Sequence, residues 1–253
     1  NVVALTPAVI EQLNSEAPAL VLFTDLGSGY PELLAQLKAP ALVVDHHLPQ
    51  GETPPNVLEL NAHKAGVDGN CEASAASLAF ALALILGEAN RDLAPVALAG
   101  AWGDRMYLDG LVGWNRTIAD MAVEDKYLNK TSRLPLTGET LAEALAGSLE
   151  PYLVGVSGNP AGAAEALREL EFDPAAALGE LDAEGTARLA DWLVLKLLEQ
   201  GAGKQQCAQL FAPQLDLPQW GCSVEELAAM ADACGRLGDT STGIAMLLGS
   251  SSG

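Results

Sequence analysis

The first 60 residues constrain this chain most, because short apolar runs of strand length alternate there with stretches of helical character. The runs lie at 2–5, 19–24 and 41–44, and a fourth at 57–60 extends the series. Strands separated by helices cannot pair as tight hairpins, so the pattern predicts a parallel sheet with crossover connections. Thr6 and Pro7 form a helix start: Thr can cap, and Pro is preset for the first helical position. A helix over 8–14 follows, with a counterpart over 30–37. Open parallel sheets meet their ligands at the C-terminal ends of the strands, so the residues just after each run carry the functional signal.

From residue 72 the strand signals fade and a helical period takes over, predicting helices over 72–86, 93–102, 114–123, 141–147, 162–170, 184–200 and 223–235. The fold class expected is therefore α/β, a parallel sheet with flanking helices over 1–110, followed by a mostly helical part over 111–253. The stretch 125–138 packs polar and turn-forming residues together without a period, which predicts an exposed connection.

With 253 residues, 49% of them hydrophobic, the chain can bury a large core. Thirteen Lys and Arg stand against 33 Asp and Glu, a formal charge of -20 that excludes a basic surface wrapping nucleic acid. Contact with a strand of nucleic acid would have to be local. The same charge suggests adaptation to a salty cytoplasm or an acidic surface facing a partner. Four cysteines without C-x-x-C spacing argue against a disulfide framework or structural zinc and fit a reducing, cytoplasmic setting. The apolar run at 73–87 is shorter than the roughly 20 residues a membrane span needs, so it reads as a buried helix and no membrane partner is expected. Residue 1 is Asn and an apolar run follows at once, which suggests a cut rather than a natural start.

Two of the three histidines stand side by side after the third run, in Asp45-His46-His47. As plain surface histidines they would mean nothing, but they fall at a predicted strand tip. The preceding run ends similarly, with Asp25 and then Gly27-Ser28-Gly29, a turn whose backbone N–H groups could face an anion. Asp104 closes an apolar helical segment, where a carboxylate is unfavourable unless a cation compensates. Asp25, His46 and Asp104 together form an oxygen-and-imidazole set suited to manganese or magnesium.

The segments FTDLGSG at 23–29, VVDHH at 43–47 and LAGAWGD at 98–104 resemble, in order and spacing, the second, third and fourth motifs of the DHH phosphoesterase superfamily. Within it the chain is most similar to the archaeal RecJ-like, GINS-associated nucleases, and the likeness continues at 149–158, 197–204 and 231–249. The resemblance implies a RecJ-like, single-strand-specific exonuclease that hydrolyses phosphodiesters with two divalent ions, usually Mn2+, alternatively Mg2+. It makes Asp25 the carboxylate bridging both ions, with His46 and Asp104 completing the second ion's site. It gives Asp45 an orienting role and makes His47 a donor to the scissile phosphate. Arg236 would contact a phosphate of the single-stranded nucleic acid, with Asp232 at the position of the family's Asn. By the resemblance the family's first motif, His-x-Asp-x-Asp-Gly, would fall before Asn1, and the DHHA1 domain is not expected within these residues. The expectation is a DHH domain without its first strand and helix, holding one divalent ion at best and acting poorly as a nuclease. Two alternatives follow: a catalytically impaired scaffold bound to GINS and the replicative helicase, or a small-molecule DHH phosphatase or phosphodiesterase.

Other features take plainer readings. Trp102, Trp114, Trp192 and Trp220 are too far apart in sequence for a base-stacking platform and read as core or contact aromatics. His63, in a polar loop after the fourth run, could approach the site, but a solvated loop histidine is the plainer reading. Gly155-Val156-Ser157-Gly158 lacks a His-Asp pair to make a nucleophile turn, and the acidic stretch 165–182 reads as a solvated helical face.

Overall fold

In a computed structural model, residues 4–108 and 110–249 are described. Along the chain they form α1 (Pro7–Glu16), β1 (Val21–Thr24), α2 (Pro31–Leu34), β2 (Ala41–Asp45), β3 (Val57–Asn61), α3 (Ala75–Leu86), α4 (Ala94–Gly103) and α5 (Gly113–Glu124). There follow β4 (Asn129–Thr131), α6 (Leu141–Gly147), α7 (Pro160–Glu169), α8 (Ala183–Glu199), α9 (Lys204–Gln209), β5 (Gln214–Leu217), β6 (Cys222–Ser223), α10 (Val224–Leu237) and α11 (Thr240–Leu247). The expected strand at 2–5 lies mostly outside the described residues, and Ala4 and Leu5 are not in a strand.

The chain is α/β, with a three-stranded parallel sheet in the order β1-β2-β3. Phe23 pairs with Val43, and Asp45 with Asn61, so all three strands end at one edge. Alternation along β2 sends Val43 to one face and Val44 to the other. Val43, with Val21, Phe23 and Ala41, packs on Ile10 of α1, Leu34 of α2, and Leu5 and Leu37. Val44 packs with Leu78 of α3, Ala62 and Ala73, and Leu42, Leu60 and Leu82 adjoin them. The central strand is thus covered on both faces, as strands of a parallel sheet commonly are, while Leu22 of β1 and Leu58 of β3 remain exposed.

Local signals explain the helix starts. Thr6 accepts the Val9 N–H and Pro7 opens α1, as the Thr-Pro pair predicts. Ser74 and Ser77 cap α3 reciprocally, as Thr140 with Glu143 do for α6 and Ser223 with Glu226 for α10. The apolar run at 73–87 does form a helix, but only its first half is fully buried. Ile85 and Leu86 at its C-terminal end are exposed.

The chain divides into two compact units, Asn1–Asn129 with Leu215–Gly253, and Lys130–Gln214. The sequence suggested a change at 110, where strands give way to helices. The structural division falls later because α5, α10 and the β5–β6 pair share a core with α3 and α4: Phe80, Leu98, Ile118, Leu128, Leu217 and Leu227 belong to one cluster. The second unit has its own core, built around Leu141, Leu145, Leu153, Leu167, Leu189 and Leu193. The stretch 125–138 holds β4 and is largely irregular, yet Leu128 and Leu136 are buried, each in a different core. The acidic stretch 165–182 is not one helical face: α7 stops at Glu169 and Glu171 takes a left-handed conformation. None of the four cysteines is in a disulfide. Among the described residues no helix is long and apolar enough to cross a membrane.

Candidate functional site

The three strand tips converge on Asp45. Its side chain is 2% exposed, and burial alone would raise its pKa. The hydrogen bond from His47 and the N–H groups of Ser28 and His47 outweigh that and hold the carboxyl below its usual range. Oδ1 accepts the His46 N–H at 2.8 Å, the His47 N–H at 3.2 Å and His47 Nδ1 at 2.7 Å, while Oδ2 accepts the Ser28 N–H at 2.9 Å. Asp45 therefore fixes the backbone of both histidines, one histidine ring, and the turn after β1.

That turn presents its Ser28 N–H to an anion of the protein's own, the Asp45 carboxylate, and so does not offer it to a ligand. Ser28 is buried and donates its hydroxyl to Glu59 at 2.7 Å. Gly27, at φ +135°, lies against the Val43 methyls, where a Cβ would stand 2.9 Å away. Asn61, buried at the end of β3, donates to Ser28 Oγ at 2.8 Å and to the His47 carbonyl at 2.9 Å. Lys64 and Thr53 reach the other Glu59 oxygen, so a continuous polar network backs the strand tips.

In front of this network, Asp25 follows β1 with φ +59° while its N–H still bonds the Val44 carbonyl at 2.9 Å. The ladder thus persists while the side chain leaves the strand's alternation. Asp25 Oδ1 lies 3.2 Å from His46 Nε2 and 3.8 Å from His47 Nδ1, and Asp104 Oδ2 lies 3.9 Å from His46 Nε2. Asp104 caps the C-terminus of α4, and burial raises its carboxyl above the usual range, with the neighbouring Asp25 charge adding and His46 opposing. His46 is raised to about 9, first by the Asp25 carboxylate, against burial, and further by the Gly69 carbonyl and Asp104. Its Nδ1 lies 2.6 Å from the Gly69 carbonyl oxygen, so that nitrogen carries the proton and Nε2 faces the two carboxylates.

One ligand atom each from Asp25, His46 and His47 lies within 4.8 Å of the others. The donor set fits a hard or borderline divalent cation, and the carbonyl on His46 Nδ1 is the outer contact that metal-binding histidines make. Arg236 stands apart: exposed on α10, it pairs with Asp232 at 2.6 Å, and no described hydrogen bond or ion pair joins it to this cluster. His63 departs from a solvated loop histidine, since its Nε2 is buried without a partner. Sequence reasoning missed Gly69, Asn61 and Glu59. Gly-Asn after Asp68 reads only as a turn, and nothing local shows that it folds over His46. The tryptophans are in contact roles: Trp114 donates to the Ser77 carbonyl, Trp220 to the Met246 carbonyl, Trp102 stacks on Tyr107, and Trp192 packs against the core of the second unit.

No protein-family model matches the chain. It is similar to an uncharacterized protein of Methanocaldococcus jannaschii, 29% identical over 178 residues, covering 67% of this chain and 40% of that protein. The chain thus spans less than half the length of the relative it matches.

Proposed function

We propose that this chain carries a divalent-metal phosphoesterase centre of the DHH type that hydrolyses phosphodiesters. The supporting observation is the meeting of His46 Nε2 with the carboxylates of Asp25 and Asp104 at one edge of a parallel sheet, beside a histidine anchored on a buried aspartate. Asp25, His46 and Asp104 would hold Mn2+ or Mg2+. Such an ion supplies a bound water of lowered pKa and neutralises charge on a phosphoryl group.

The remaining steps belong to the protein's own groups. Asp45 accepts the His47 Nδ1 proton and orients the exposed ring, whose Nε2 would donate to a phosphoryl oxygen in the imidazolium form, when both ring nitrogens carry a proton. Asp45 also fixes the His46 N–H, so ligand and donor are positioned by one carboxylate. The charge of -20 favours small or short substrates over long polyanions, which supports a second reading as a phosphodiesterase of nucleotides or short oligonucleotides.

The test is manganese-dependent hydrolysis of bis(p-nitrophenyl) phosphate and of short and long single-stranded oligonucleotides. The expected result is slow turnover, faster on the small and short substrates, abolished in Asp25→Ala. Absence of metal-dependent turnover on every substrate, or turnover that survives Asp25→Ala, contradicts the reading.

A further inference from the structure

We propose that Gly69 is a positioning residue, whose carbonyl fixes the proton of His46 on Nδ1 and whose lack of a side chain lets it come close enough to do so. The inference deepens the reading of a metal centre and rests on it for its consequence, but not for its geometry.

Gly69 is buried, and the Asp68–Glu72 turn, in which the Cys71 and Glu72 N–H groups bond the Asp68 carbonyl, brings it against the backbone after β2. A Cβ at this position would stand 2.0 Å from the His46 carbonyl oxygen and 2.8 Å from His63 Nε2. The first contact is with backbone at the end of a strand, which cannot rotate aside. The second is with the buried, unpartnered ring nitrogen of His63, so the space is closed on both sides. Gly69 is thus wedged between His46 and His63, and from that wedge its carbonyl takes Nδ1 of His46 at 2.6 Å.

The turn is held by its own contacts. Asp68 Oδ1 accepts the Asn70 N–H at 2.8 Å, and Glu72 Oε2 accepts the Asp68 N–H at 2.8 Å. These bonds set the direction of the peptide between Asp68 and Asn70, and hence of the Gly69 carbonyl. An imidazole has one proton to place when neutral. With Nδ1 committed to a fixed carbonyl, Nε2 keeps its lone pair toward Asp25 and Asp104, ready to accept a cation. Without that carbonyl the proton can move to Nε2, where a carboxylate would hold it and block a metal.

The experiment compares wild type with Gly69→Ala in two readouts: Mn2+ affinity by calorimetry, and the His46 tautomer from 15N long-range NMR spectra of the metal-free protein, at a pH above the imidazole's titration. The expected result is an Nδ1–H tautomer in wild type, a substantial Nε2–H population in the variant, and affinity lower by about 10- to 100-fold, with unchanged circular dichroism. Unchanged affinity and an unchanged tautomer overturn the proposal. If Gly69→Ala fails to fold, Asp68→Ala keeps the glycine and loosens the turn, and a drop of about threefold or more with the same tautomer shift is expected. No change in either readout for Asp68→Ala overturns the proposal equally. A wild type that binds no Mn2+ contradicts the metal centre, while the tautomer measurement still decides the role of Gly69.

Discussion

Asp45 and His47 are joined by a 2.7 Å bond between a carboxylate oxygen and Nδ1, one partner buried at a strand tip and the other exposed to solvent. The pair carries rigidity outward. The carboxylate is held by three backbone N–H groups, and through it the exposed ring inherits the position of β2.

Asp45→Asn keeps the shape but places an NH2 group against N–H donors. It should cost about 2–3 kcal/mol of unfolding free energy, the range for stranding buried polar partners. Urea unfolding measures it. A loss under about 0.5 kcal/mol would show that the network re-forms around the amide.

Glu59 supplies a pH dependence. Burial works against its charge, but hydrogen bonds from Lys64, Thr53 and Ser28 prevail and lower its pKa below 4.5. A carboxyl depressed by folding stabilises the protein fully above its unfolded value and loses that contribution as pH falls through the folded one. Glu59→Gln should therefore be less stable than wild type at neutral pH, and the gap should narrow as pH drops below 4.5. A gap that stays constant across this limb would assign the loss to packing alone.

The sheet and most helices are legible in the sequence because their signals are local. Apolar runs mark 21–24 and 41–44, a weaker one interrupted by Glu59 marks 57–60, and capping pairs mark α6 and α10. Helix α9, with the sequence KQQCAQ, has no apolar face to give it away, and α11 begins with Thr-Ser-Thr-Gly. The second unit is hidden for another reason: the polar stretch 125–138 marks a connection at its first boundary, but the helices of both units are Ala- and Leu-rich, so composition does not show that the chain has left one core for another. At the candidate site, Asp25, His46 and Asp104 are legible because strand tips and motif spacing announce them. Gly69 and His63 are not, because their role depends on a turn folding back over His46.

The surface charge makes its own forecast. At -20, self-repulsion opposes the folded state, and salt screens it over a Debye length of about 10 Å at 0.1 M. The thermal midpoint should rise steadily from about 0.1 M to 1 M KCl. A midpoint that stays flat or falls would show that the acids are spaced widely enough not to matter.

Asp25, His46 and Asp104 together are expected to bind a divalent cation. Calorimetric titration of the metal-free protein with Mn2+ measures this directly. One ion per chain is expected, with heat lost in Asp25→Ala and in His46→Ala and retained in Arg236→Ala, whose side chain is not part of the cluster. A wild type without saturable binding, or binding that persists in both the Asp25 and His46 variants, would contradict it.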